Sequence, residues 1–218
     1  MNIYSFPTYN LTKILLTAEE VGQPYTLHLM DFATGEHKSP EHLKRHPLGK
    51  VPAVELGGKH YFESNSICRL LAEKNGKLYS GTPEQHAEIN QWVDLITQHV
   101  GRWLSVLLFE KALKPTFFGE ETNQKTVEEA VGFLGQQMPV VEAQICENPF
   151  FLGDEITIAD TIALSHFMTV EYSGVDLQFL PNIRRWMNDL RQRPSFKTVM
   201  AQMPGNELFH GLEKVQPL

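Results

Sequence analysis

The stretch from Gly49 to Ser64 constrains this chain more than any other, because it sets two short apolar runs on either side of a two-glycine turn. Residues 54–56 and 61–62 read as strands. Gly57-Gly58 between them suits a tight hairpin, since glycine reaches positive φ without a Cβ clash. Both ends of this pair carry chemistry. Pro52 stands where a strand begins, tolerates the loss of its N–H there, and is a candidate for the cis isomer. A cis bond turns the Val51 main chain outward as an edge on which an extended peptide can lie. At the far end, Ser64 precedes the helical run Ile67, Leu70, Leu71 and is expected to cap it, so helix N–H groups face the same cleft beside the acid Glu63. An extended peptide with a free carboxylate and a free amine matches all three features.

The rest of the first third builds around this hairpin. Residues 2–5 read as a strand, and a turn leads into a helix carrying Leu11, Ile14, Leu15 and Ala18, which Gly22 and Pro24 stop. A strand over 25–30 completes βαβ, for which a right-handed parallel crossover is expected. Ser39-Pro40-Glu41 predicts a capped short helix towards Arg45, ahead of the hairpin and a helix to about residue 75. The order β-α-β, short helix, β-β-α resembles the thioredoxin fold. Past Asn75-Gly76 no strand pattern appears. Residues 80–83 read as a linker between a domain over 1–79 and an all-helical domain over 84–218. The latter opens with apolar residues from Ile89 to Leu108 at helical spacing, which Pro115 is expected to break. Further helices are expected over 121–145, 157–172 and 181–192, with a shorter one from 195.

Composition removes several function classes. Nineteen Lys and Arg against 26 Asp and Glu give a formal charge of −7 with no basic run, which argues against non-specific nucleic-acid binding. No segment has the length of a membrane span, and Cys68 and Cys146 are too few for a disulfide framework, so the cytoplasm is the expected compartment. The nine histidines show no metal-ligand spacing, and no glycine-lysine phosphate loop is present; neither a metal nor a nucleotide cofactor is expected.

Three segments in register resemble the cytosolic glutathione S-transferases, closest to the phi class: the run from Phe32 to Leu43, Gly49-Lys50-Val51-Pro52-Ala53, and Phe62-Glu63-Ser64 with Ile67. The resemblance covers essentially the whole chain. It implies a thioredoxin-like glutathione-binding half, an all-α half, a homodimer and no cofactor beyond glutathione as co-substrate. It also implies an enzyme that activates the glutathione thiol and joins it to a small hydrophobic electrophile, and it admits reduction of organic hydroperoxides by the same sulfur. Carried over position by position, His37, Lys38 and Lys50 meet the glycine carboxylate and the Val51 main chain pairs with the cysteinyl backbone. Glu63 holds the γ-glutamyl amine and Ser64 its carboxylate. Thr8 stands where the phi class has its catalytic serine, a departure that keeps the hydroxyl, and Asn10 is a second donor. Ile156-Thr157-Ile158-Ala159-Asp160 resembles the family's capping box, with Thr157 and Asp160 serving folding rather than catalysis.

Each assignment has a plainer rival. Thr8 as nothing more than a helix cap, His37 and Lys38 as a solvated loop, and Glu63-Ser64 as an ordinary helix start all remain open at this level. Tyr9 and Phe32 are expected in the electrophile pocket, whereas Phe109, Phe117, Phe118 and Tyr172 are expected mostly in the core. Cys68 is expected to be buried and inert. The alternative function is an idle glutathione-transferase-like binding or assembly module.

Overall fold

The computed structural model describes residues 1–209, 212 and 213, so the last part of the expected helical half, 210–211 and 214–218, lies outside the described residues. The sheet has the order β2-β1-β3-β4, built from β1 (Asn2–Ser5), β2 (Thr26–Leu29), β3 (Ala53–Leu56) and β4 (Lys59–Tyr61). β1 and β2 are parallel with Ile3 beside Leu27, while β1–β3 and β3–β4 are antiparallel with Val54 between Ile3 and Tyr61. Gly57 and Gly58 take φ of 60° and 75°, which is the pair of positive values a two-residue hairpin turn requires.

Helices α1 (Tyr9–Val21) and α3 (Ser64–Asn75) pack together, and α2 (Pro40–Arg45), which packs on β3, starts from the Ser39 cap expected for it. Thr8 caps α1, its Oγ1 accepting from the Leu11 N–H at 3.1 Å, and Gly22 ends the helix with φ 74°. The Val51–Pro52 bond is cis. The expectation that Ser64 caps α3 is corrected. Glu63 holds the cap position at φ 67°, ψ 103° without a side-chain cap bond, and Ser64, one residue later, turns its hydroxyl across to α1. A non-glycine residue at positive φ is costly and persists where its surroundings hold it.

Beyond Thr82, which forms a reciprocal capping box with Gln85, the described chain is helical: α4 (Pro83–Leu95), α5 (Gly101–Leu108), α6 (Gln124–Gln144), α7 (Ile158–Phe167), α8 (Val170–Ser173), α9 (Pro181–Gln192) and α10 (Pro194–Ala201). Wide π turns at Ile96–Val100 join α4 to α5, and Phe109–Phe118 continues α5 in the same way. Pro115 therefore does not break the helix, contrary to expectation. The wider turn separates its ring from the carbonyl four residues back, and the run ends at Gly119 with φ 64°. The helix expected over 157–172 divides into α7 and α8. The capping box at its start is present: Thr157 caps α7, and the buried Asp160 carboxylate accepts from the N–H groups of Phe151 and Thr157 and from Trp186 Nε1.

Helix α1 is packed against α3 of its own half and against α7 and α10 of the helical half. Its buried stretch consequently includes Thr12, Lys13 and Thr17 as well as the apolar stripe. Thr17 Oγ1 lies 3.0 Å from Thr161 Oγ1 of α7, a buried bond between the two halves, and Arg193 grips Glu20 through two nitrogens at 2.6 and 2.7 Å.

Candidate active site

Two cavities flank the first turn of α1. One, of about 430 Å³, is polar and is lined by Tyr9, Asn10 and Lys13 of α1, Lys50, Val51 and Pro52 of the loop before β3, Glu63, Ser64 and Asn65 at the start of α3, and residues of the helical half from Thr97 to His166. The other, of about 460 Å³, is apolar and is lined by Phe6, Pro7 and Thr8 ahead of α1, Phe32, the aromatic run Phe109, Phe117 and Phe118, and residues near the end of the described chain. Pro7-Thr8 and Tyr9-Asn10 are consecutive, so the helix start is a wall common to both.

In the polar cavity the two halves of the hairpin region meet α1. Ser64 Oγ donates to Asn10 Oδ1 at 3.2 Å, and Asn65 at the next position accepts from Lys13 Nζ at 3.3 Å while its Nδ2 donates to Thr97 Oγ1 at 2.9 Å. Because Glu63 supplies no side-chain cap bond, the first N–H groups of α3 keep no side-chain acceptor, and a helix start in that state favours an anion. Lys13 is almost completely buried, and burial pulls its ammonium down to about 8 against the pull of Glu63 and Cys68. The Cys68 thiol is itself pushed up to about 11 by burial, so at neutral pH it carries no charge to help Lys13. His166 is buried as well, is held well below the usual imidazole range by desolvation and by Lys13, and has neither ring nitrogen hydrogen-bonded. Gly101 lets that ring close in, for a Cβ there would stand 2.5 Å from His166 Nδ1.

The structure brings Asn10, Lys50, Val51, Pro52, Glu63 and Ser64 together around the polar cavity, and leaves outside its lining Thr8, which lies on the apolar side, and His37 and Lys38. His37 stacks on Phe32 with centroids 5.2 Å apart, and Lys38 Nζ donates to the Leu48 carbonyl at 2.9 Å. Gly49 permits this close packing, since its φ is 56° and a Cβ would come within 2.7 Å of the His37 carbonyl. Two expectations are corrected. Tyr9 faces the polar cavity, not the electrophile side: as the first residue of α1 it points at the helical half, where its hydroxyl accepts from Ser105 Oγ at 3.0 Å. Phe109, Phe117 and Phe118 are exposed at 41%, 58% and 55% and line the apolar cavity with Phe32, because the π turns present them to the cleft; Tyr172 is buried. Lys13, Arg102, Ser105 and His166 line the polar cavity unforeseen by sequence, the first because a lysine within an amphipathic helix ordinarily marks its wet face.

Among the described residues no cluster of His, Cys, Asp and Glu could hold a metal ion, and no helix is long and apolar enough to cross a membrane.

The family models for "Glutathione S-transferase, N-terminal domain" and "Glutathione S-transferase, C-terminal domain" match residues 1–73 and 96–194. "Glutathione S-transferase 1" of Zea mays is 35% identical over 202 residues, covering 90% of this chain and 93% of that protein. Glutathione S-transferase-I solved with the ligand lactoylglutathione superposes with a TM-score of 0.83 at 34% identity, covering 93% of this chain and 99% of that one. Glutathione transferase F2 from Populus trichocarpa gives 0.84 at 30% identity, over 92% and 97% of the two chains. With two matched domain models spanning most of its length and plant phi-class relatives covering 90% or more of both chains, the chain belongs to the glutathione S-transferase family.

Proposed function

We propose that this protein is a glutathione transferase whose sulfur chemistry takes place where its two cavities meet, at the start of α1. The observation that carries this reading is the juxtaposition itself: a polar cavity suited to a charged peptide and an apolar one suited to a hydrophobic electrophile share the Pro7-Thr8-Tyr9-Asn10 turn. The idle-module alternative loses ground because the relatives are named as transferases and both cavities are open.

Glutathione lies along the Val51 main chain beside the cis Pro52, with Glu63 taking the γ-glutamyl amine and Ser64 with the α3 start taking its carboxylate. Lys50, His37 and Lys38 serve the glycine carboxylate, the latter two from the adjoining loop that Gly49 holds against them. The thiol is thereby delivered to Thr8. Thr8 Oγ1 uses a lone pair to cap Leu11 N–H, which leaves its O–H free to donate to sulfur. A free thiol of pKa ~8.5 is only about 3% thiolate at pH 7, and lowering it by about two units takes roughly 2.7 kcal/mol. A hydrogen bond to the anion supplies about 1.5–3 kcal/mol and the α1 terminus roughly 0.3–1, and no acidic residue stands in the first turn of α1 to oppose it. The thiol proton leaves to solvent, and the sulfur lone pair forms the new bond to the electrophile held among Phe32, Phe109, Phe117 and Phe118; with an aryl halide the carbon–halogen bond breaks and halide leaves with its electron pair. A hydroperoxide would meet the same sulfur.

A homodimer and a cytoplasmic location belong to the same reading. Leu48 and Phe62 in the first half and Phe133 and Val140 in the second are exposed apolar side chains suited to a partner copy. Light scattering that finds only monomer refutes the dimer. For the activity, conjugation of an aryl halide is the test: Thr8→Ser retains it and Thr8→Ala loses about 10- to 100-fold in kcat/KM. Equal rates for parent and Thr8→Ala would remove Thr8 from the mechanism.

A further inference from the structure

A lysine ammonium in a protein interior needs a counter-charge or several acceptors, because water has been stripped from it. Lys13 has neither. Its relative exposure is 2%, no carboxylate lies within ion-pair distance of it among the described residues, and its one hydrogen bond, to Asn65 Oδ1, is long at 3.3 Å. The Tyr9 ring face, 5.5 Å from Nζ, offers only a weak quadrupolar contact. The chamber it faces is not apolar either. His166, 3% exposed, presents two ring nitrogens without hydrogen-bond partners to the same cavity. An unpaired cation and an unsatisfied imidazole in one cavity describe a site whose partner is not part of the protein.

We propose that Lys13 binds the α-carboxylate of the γ-glutamyl arm, making it a specificity-determining residue for glutathione. The assignment rests on the glutathione reading above and adds to it a residue that no motif supplied. Asn65 is the second residue of α3, so its contact sets the ammonium at the first turn of that helix, beside Ser64. The N–H groups there and the Lys13 cation repel each other while the cavity is empty and cooperate once an anion sits between them. Glu63 lines the same cavity and raises Lys13 electrostatically from beyond ion-pair range, so a cationic and an anionic position are held apart. That separation matches an α-amino acid end, ammonium to Glu63 and carboxylate to Lys13. The remaining titratable groups around Lys13 do not supply a substitute: Cys68 of α3 is neutral, His166 of α7 is kept uncharged by burial, and Lys50 and Arg102 at the cavity wall add positive field.

The test is a cycle of ligand and residue, read by calorimetric titration of the full chain. Glutathione and 4-aminobutanoyl-cysteinylglycine, which lacks only the α-carboxylate, are each titrated into parent, Lys13→Met and Lys13→Arg. For the parent, deleting the carboxylate is expected to weaken binding by about 30-fold or more. For Lys13→Met the same deletion costs several-fold less, and for Lys13→Arg most of the parent's discrimination returns. A merely structural lysine predicts that Lys13→Met weakens both ligands by the same factor, and that result overturns the proposal. So does a parent that binds both ligands equally, which needs no variant to fold. A parent that binds neither ligand sinks the glutathione reading together with this one, whereas normal glutathione binding with no change in Lys13→Met sinks only the role of Lys13.

Discussion

The two cavities beside α1 are close in volume, about 430 and 460 Å³, yet they are assembled in opposite ways. The polar one draws single residues from the loop before β3, the start of α3, α1 and the helical half, and ties them by hydrogen bonds such as Ser64 to Asn10 and Asn65 to Thr97. The apolar one is walled by phenylalanines, half of them from one widened helical run, whose rings touch without directional bonds. The difference teaches where selectivity resides. A site of buried polar groups rejects a ligand that leaves them unpaired by several orders of magnitude, while an apolar pocket distinguishes neighbouring shapes only weakly. One ligand should therefore be fixed and the other exchangeable.

The largest expected effect lies on the polar side. Glu63→Gln is expected to raise the KM for glutathione about 30-fold or more with a smaller change in kcat, because the γ-glutamyl ammonium loses its charge partner. The KM for the electrophile stays as it was. Steady-state kinetics with each substrate varied in turn checks both, and equal losses in the two KM values would break the division between the cavities.

A second effect comes from Lys13 and concerns stability. Its lowering from 10.5 to about 8 corresponds to about 3 kcal/mol of burial cost, at about 1.4 kcal/mol per unit. The folded value lies below the unfolded one, so between about pH 8 and 10.5 the unfolded chain holds more protons and the cost is progressively relieved as pH rises. Lys13→Met is accordingly expected to be more stable than the parent at pH 7, with the gap closing through that window. Thermal unfolding of the pair across pH reads this directly, and a Lys13→Met protein less stable than its parent at pH 7 contradicts it. A residue whose removal stabilises the chain and weakens its ligand is one retained for binding.

The smallest effect is on the apolar side. Phe118→Ala should raise the KM for a large aromatic electrophile by roughly 5- to 10-fold and leave a small one nearly unaffected, at about 1 kcal/mol of lost contact. Glutathione affinity is expected to be unchanged. A series of electrophiles of increasing size, assayed against parent and variant, sharpens the comparison by measuring how tolerant the pocket is.

Much of the first half is legible in the sequence because its signals are local. Gly57-Gly58 takes the positive φ that the hairpin needs, Ser39-Pro40 starts α2, and Gly22 and Gly76 end α1 and α3 in the left-handed region. The site is less legible because it depends on how halves meet. Periodicity identifies the apolar stripe of Leu11, Ile14, Leu15 and Ala18, but the burial of Lys13 and Thr17 follows from α7 covering the other face, which no local pattern reports. Ser64 is a good capping residue by type, yet the positive φ at Glu63 moves the cap one place earlier. The phenylalanines of the π run look like core residues at helical spacing, and only the wider turn and the facing Phe32 turn them into a cavity wall.

The claim on which the two cavities converge is that Thr8, at their junction, makes the glutathione sulfur anionic. Its most direct measurement is the ultraviolet absorbance of the bound thiolate against pH, for parent, Thr8→Ser and Thr8→Ala. In the parent the bound thiol is expected to titrate about two units below the free value of ~8.5, with Thr8→Ser alike and Thr8→Ala at least about one unit higher. A bound thiol that titrates at the same pH in parent and Thr8→Ala would contradict the account.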